Sequence, residues 1–173
     1  MWYHDFIKKG DKMLKYILMV TLATFSFTVN AFDIDGNGKI YYVIDGDTVL
    51  MSDVGDETYK FLKQKSHKKE NFDDRFNSIK IRIGNINTKE SVHKDKTKNT
   101  KDGKEASDYL KKLVEKKNFK FYCWDIGDYG RPICSVYNKN LDIGEHMIKK
   151  GYSEYITYWG KNPRWHQRYL KAN

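Results

Sequence analysis

Cysteine is scarce in this chain: Cys123 and Cys134 are the only two in 173 residues. They form no C-x-x-C pair and the five histidines are scattered, which excludes the usual thiolate and imidazole metal spacings. Acidic residues are in deficit, 23 against 32 lysines and arginines, giving a net charge of +9. That balance favours a polyanionic partner such as nucleic acid, or an anionic surface; solubility is the plainer use of the same charge. A long apolar run is missing as well. The apolar stretch Tyr16 to Val29 is shorter than the roughly 20 residues a membrane-spanning helix needs. What the chain does have is 15% aromatic and 32% charged residues over the length of one domain. That is the profile of a globular protein and excludes a disordered one.

The short apolar run carries further signals. Lys8, Lys9, Lys12 and Lys15 precede it, and Val29-Asn30-Ala31 fits a small-residue cleavage site before Phe32. Residues 1–31 are therefore expected to be a secretory signal peptide, with Met13 as an alternative start and an uncleaved anchor as the competing reading. Removing them takes away four lysines and two acids and leaves a mature charge of +7. The expected product is exported, periplasmic or secreted, monomeric, and without stable membrane association after signal cleavage. In an oxidising compartment Cys123 and Cys134 can bridge across a short turn, which would contribute about 2–3 kcal/mol.

Through the mature part, 32–173, the pattern alternates between strand and helix periods. Asp33-Ile34-Asp35-Gly36-Asn37-Gly38 matches the start of an EF-hand loop, but its twelfth position is Ile44 rather than glutamate, so a turn is expected there. Strands are expected at Lys39–Ile44, Thr48–Ser52, Ile79–Gly84, Phe119–Trp124 and Pro132–Asn138. Helices are expected at Gly103–Lys116 and at Leu141–Lys150, the latter stopped by Gly151. A short last helix in Pro163–Ala172 would pack Trp165, Tyr169 and Leu170 inward. Residues 53–78 read as a polar, exposed insertion, Lys-rich from Lys63 to Lys69, with Tyr59–Leu62 as a strand end. A basic loop of this kind can hold a phosphate backbone or be idle surface. Residues 91–102 read as a second Lys-rich linker. Five short strands with helices between and after them make an α+β chain built on a small Greek-key barrel, the OB-fold.

Three loops gather polar groups. Asp45-Gly46-Asp47 sets two carboxylates one residue apart, a way to collect oxygen ligands for a hard cation and equally a way to make a solvated turn. The stretch Arg82 to Glu90, R-I-G-N-I-N-T-K-E, leaves a strand with a planar, permanently charged fork suited to phosphate and a carboxylate able to take a proton from water. An ion pair on a barrel wall is the plainer account of Arg82 and Glu90. The third loop, Asp125 to Arg131, ends in D-Y-G-R.

Taken together, these pieces resemble the staphylococcal (micrococcal) nuclease family, also called thermonuclease. The resemblance rests on I-D-G-D-T at 44–48, R-I-G-N-I-N-T-K-E at 82–90, G-K-E-A at 103–106, D-Y-G-R at 128–131 and N-L-D-I-G-E-H-M-I-K-K-G-Y at 140–152. It covers nearly all of the mature chain. It implies a five-stranded OB barrel with two to three helices and a calcium-dependent phosphodiesterase acting on DNA and RNA. By that resemblance Arg82 and Arg131 are the catalytic arginines and Glu90 the general base. Asp47, Asn87 and the Thr88 carbonyl would hold Ca2+ or another divalent cation, with Asp45 behind them, and Tyr129 would lie beside the substrate phosphate. Two positions depart: Asn87 stands where the family has aspartate, and Lys89 where it has proline. The site thus loses one negative charge and gains a positive one, and both changes weaken a cation's hold. The alternative is an OB-fold module that binds nucleic acid with weakened or lost catalysis.

Overall fold

The computed structural model describes residues 32–173 except Lys94 and Trp159, so the expected signal segment lies outside the described residues. In chain order the elements are β1 (Ile34–Asp45), β2 (Thr48–Ser52), α1 (Asp56–Lys65), β3 (Phe72–Asp73), β4 (Ser78–Ile83), α2 (Lys101–Val114), β5 (Asn118–Ile126), β6 (Pro132–Tyr137), α3 (Ile143–Lys149) and α4 (His166–Ala172). Among these residues five strands close a barrel. β1 pairs with β2 and β5, β5 with β6, and β4 joins β2 on one side and β6 on the other. The two-residue β3 adds to the outside of β4. No helix among the described residues is long and apolar enough to cross a membrane.

The barrel follows from alternation. Ile79, Ile81 and Ile83 of β4 are fully buried, while Lys80 and Arg82 between them are only partly covered. Val49 and Met51 from β2, Phe119, Phe121 and Cys123 from β5, and Cys134 and Val136 from β6 complete the interior. Cys123 and Cys134 sit directly opposite in the β5–β6 register and are disulfide-bonded, with Cα atoms 4.0 Å apart. Helix α2 closes the barrel with Ala106, Leu110 and Val114, spaced four apart on its buried face. Full burial of a leucine such as Leu110 is worth about 1.5–3 kcal/mol.

Three expectations need correction. Asp33–Gly38 is not a turn: Ile34–Lys39 pair with Asn118–Cys123 and extend β1 by half its length. The alternation is present there, with Asp33, Asp35 and Asn37 exposed. Its inward positions after Ile34 are glycines, which carry no hydrophobic signal. Tyr59–Leu62 is not a strand end but the middle of α1, where Tyr59 and Leu62 point inward three residues apart. The insertion is therefore built structure and raises the helix count to four among the described residues. Leu170 is 49% exposed and does not pack inward; Tyr169 and, partly, Trp165 do, joined by Ala172 at the end of the last helix.

Candidate functional site

Strand order brings three loops to one rim of the barrel. β2 runs antiparallel to β4 with Thr48 opposite Arg82, so Asp47, just before β2, lies at the exit of β4. The final residues of β4, Arg82 and Ile83, pair in parallel with Ile133 and Cys134 at the start of β6. Arg131, just before β6, therefore reaches the same rim. The Ile83 amide donates to the Asp47 carbonyl at 2.8 Å and fastens the two loop mouths together.

Asp47 is 7% exposed, and both of its carboxylate oxygens are occupied. Oδ1 lies 3.0 Å from Arg82 Nη1 and accepts the Thr48 hydroxyl at 3.1 Å. Oδ2 accepts the Thr88 amide at 3.1 Å and the Thr88 hydroxyl at 3.3 Å. Burial pushes the Asp47 carboxyl up to about 7, while the adjacent Arg82 pulls it the other way. Asp45 Oδ1 takes the Asp47 amide at 3.1 Å and so shapes the turn between them.

Arg82 is pinned at several points. It donates from Nη1 to the Ile83 carbonyl at 3.0 Å and from Nη2 to Asn87 Oδ1 at 3.1 Å, besides its ion pair with Asp47. Burial weakens its hold on its proton; Asp47, Asp45 and Glu90 oppose that, and the neighbouring Arg131 adds to it. Arg131 Nη1 donates to the Thr48 hydroxyl at 2.8 Å. A single chain of contacts therefore runs from Arg82 through Asp47 and Thr48 to Arg131. Nothing in the I-D-G-D-T motif assigns Thr48 this role; its place opposite Arg82 follows only from the strand register.

The loop after β4 is held from two sides. Asn85, at φ 62°, donates from Nδ2 to the carbonyls of Ile156 and Gly160, both at 2.9 Å, and the Asn87 amide donates to Ser153 Oγ at 2.8 Å. Further along, the Glu90 carbonyl accepts the amide of Thr100, the residue capping α2, at 2.9 Å. A Cβ on Gly103 would stand 2.2 Å from that carbonyl, so the first turn of α2 can reach the loop only with glycine there. The Glu90 side chain is exposed and makes no hydrogen bond or ion pair among the described residues. Lys89 pairs with Asp102 at the start of α2, so its added charge is neutralised locally.

Tyr129 is 69% exposed, with the Arg131 guanidinium 5.6 Å from its ring centre. Arg82, Asp47, Thr88, Asn87, Asp45, Arg131 and Tyr129 thus share one rim, and Glu90 lies on the loop leaving it. A cleft of about 580 Å³ beside α1, lined by Tyr59, Lys63 and Asp74 among others, contains none of these residues. No group of three or more His, Cys, Asp or Glu side chains is set to hold a metal among the described residues. The donors that do converge, Asp47, Asp45 and Asn87 Oδ1, are all hard oxygens. They suit a cation of the calcium or magnesium class rather than zinc or copper.

The same chain can be set beside known proteins. Its residues 80–173 match a family model described as staphylococcal nuclease homologue. The probable staphylococcal-like nuclease CAN2 of Oryza sativa subsp. japonica is 35% identical over 74 residues, 41% of this chain and 20% of its own length. The same plant's probable staphylococcal-like nuclease CAN3 is 34% identical over 74 residues, with the same shares, and CAN1 is 36% identical over 61 residues, 35% of this chain and 18% of its own. The chain therefore spans about a fifth of the length of these curated relatives. With more than half of its residues inside the family match, and a closed five-stranded barrel beneath them, the chain belongs to the staphylococcal nuclease family.

Proposed function

We propose that this protein hydrolyses phosphodiester bonds in DNA, and in RNA as well, at the rim formed by β2, β4 and β6. The observation that carries this reading is the contact chain Arg82–Asp47–Thr48–Arg131, which aligns two guanidinium groups at one site from separate elements. Two such forks can grip a phosphate through paired hydrogen bonds and neutralise charge on its equatorial oxygens. Glu90, exposed and without an ion pair among the described residues, takes the proton from a water that attacks phosphorus; the P–O bond to the leaving nucleoside breaks on the opposite side. Base catalysis of this kind is worth about 10²–10⁴-fold.

A divalent cation, calcium in the first instance, would be held by Asp47, Asn87 Oδ1 and the Thr88 carbonyl, with Asp45 behind them. When bound it would supply Lewis-acid charge at the phosphate. The donor types fit this role. Arg82 now occupies one oxygen on Asp47 and the one on Asn87.

That occupancy favours a second reading, an OB-fold nucleic-acid-binding module in which Asn87 has cost catalysis. Digestion of single-stranded DNA with calcium, manganese or a chelator separates the two. Metal-dependent cleavage that stops in Glu90→Ala supports hydrolysis. Salt-sensitive binding without cleavage supports the module. We also infer export to the periplasm or the exterior as a monomer; the lysine-led apolar segment and the Cys123–Cys134 bond support an oxidising compartment.

A further inference from the structure

The segment following α1 lies outside the residues matched to the family, yet it is built against the site. Three consecutive carbonyls of the turn before β6 are taken up by three of its side chains. His67 Nε2 lies 3.1 Å from the Asp128 carbonyl, Asn71 Nδ2 donates to that of Tyr129 at 2.8 Å, and Ser66 Oγ donates to that of Gly130 at 2.6 Å. Carbonyls in an exposed turn are ordinarily left to water, so three side-chain partners in a row make a splint. Ser66 and Asn71 are buried at 3% and 7% exposure, although both are polar. Gly130, at φ 68°, leaves room for Lys68: a Cβ there would stand 2.6 Å from Lys68 Cβ.

Lys68 is placed by this packing. Its amide donates to Ser66 Oγ at 3.1 Å, its stem runs over Gly130, and its ammonium stands 6.0 Å from the centre of the Tyr129 ring. It joins no ion pair among the described residues. Its neighbours differ: Lys63 is paired with Asp74 at 2.5 Å, and Lys69 turns back to cap the carbonyls of Lys63 and Ser66. Lys68 and Arg131 thus share one exposed aromatic ring, and neither is paired with a carboxylate among the described residues.

We infer that residues 66–71 form a second part of the substrate-binding surface. In it Lys68 holds the strand phosphate next to the one gripped by Arg131, a base stacks on Tyr129 between them, and Ser66 and Asn71 position the turn. The inference rests on the nuclease reading above. A nucleic-acid strand presents phosphates and π-faces in alternation, which is what two cations beside one exposed ring can receive.

The test uses fluorescein-labelled single-stranded oligothymidylate and the mature protein, with anisotropy read in chelator between about 50 and 200 mM salt. Lys68→Gln should lower the slope of log K against log salt by about 0.7, the value for one single-strand phosphate contact. Affinity should weaken by up to about fivefold, the reach of one exposed charge pair. Under cleaving conditions KM should rise while kcat holds. Lys68→Arg should restore the slope, and Lys112→Gln on the exposed side of α2 should leave it unchanged. A wild-type slope and KM in Lys68→Gln, or an equal loss in Lys112→Gln, overturns the inference and leaves the nuclease reading intact. A wild-type chain that neither binds nor cleaves brings down both.

Discussion

Arg82 and Arg131 reach the same rim by different means. Arg82 projects from inside a strand, its side chain 13% exposed, with a buried carboxylate, a main-chain carbonyl and an amide oxygen around it. Arg131 ends an exposed turn, with the Thr48 hydroxyl and the face of Tyr129 as its contacts. Barrel pairing positions the first, so removing its partners should damage the fold. The second depends on a turn held from outside the barrel, so its loss should cost function and spare stability.

The largest expected effect breaks the pinned side. Asp47→Ala leaves Arg82 buried without its carboxylate and the Thr88 amide without its acceptor. Removing one partner of a mostly buried pair costs about 3–5 kcal/mol. Urea unfolding should show that loss, with cleavage abolished; unchanged stability would mean that Arg82 is not held by the pair.

Next comes the exposed side. Arg131→Gln should lower kcat by about 10²–10³-fold, as for loss of one transition-state donor. Its unfolding midpoint should move by no more than a surface substitution does, about 0.5 kcal/mol. A large stability loss would erase the contrast.

Reducing the Cys123–Cys134 bond acts on the strands from which the Arg131 turn hangs. It should cost about 2–3 kcal/mol by thermal denaturation with and without reductant. Activity of the folded fraction should be kept, because neither sulfur is at the rim.

The smallest change sharpens the contrast. Asn87→Asp puts a second carboxylate against Arg82 and returns one negative charge to the loop. Calcium affinity by titration calorimetry should rise, by about tenfold for each 1.4 kcal/mol gained. An unchanged affinity would show that the charge at position 87 is not what limits cation binding.

These contrasts also mark what the residues alone could reveal. The alternation Ile79–Ile83 and the four-residue spacing in α2 disclose barrel and helix because apolar burial leaves a period. The loop motifs disclose which side chains share a rim only through the family resemblance. Within the motif, Thr48 carries no hint that its hydroxyl joins Asp47 to Arg131, since register is a tertiary fact. The splint at 66–71 is hidden from the sequence for a related reason. Its contacts reach across some 60 residues and are made by polar side chains, which leave no periodic trace. The first half of strand β1 leaves no apolar alternation in the sequence because its inward positions at 36 and 38 are glycines.

The join between β4 and β6 is two residue pairs long, whereas the other ladders closing the barrel run to at least four. A cylinder opens where its stitching is shortest. That seam lies between the strand bearing Arg82 and the one preceded by Arg131, so thermal breathing of the barrel would spread the two guanidinium groups before it disturbed the core. A phosphate bridging them would act as a clasp on the fold itself. Amide exchange at Gly84, whose N–H is held by the Cys134 carbonyl at 2.9 Å, would slow when a nucleotide is bound.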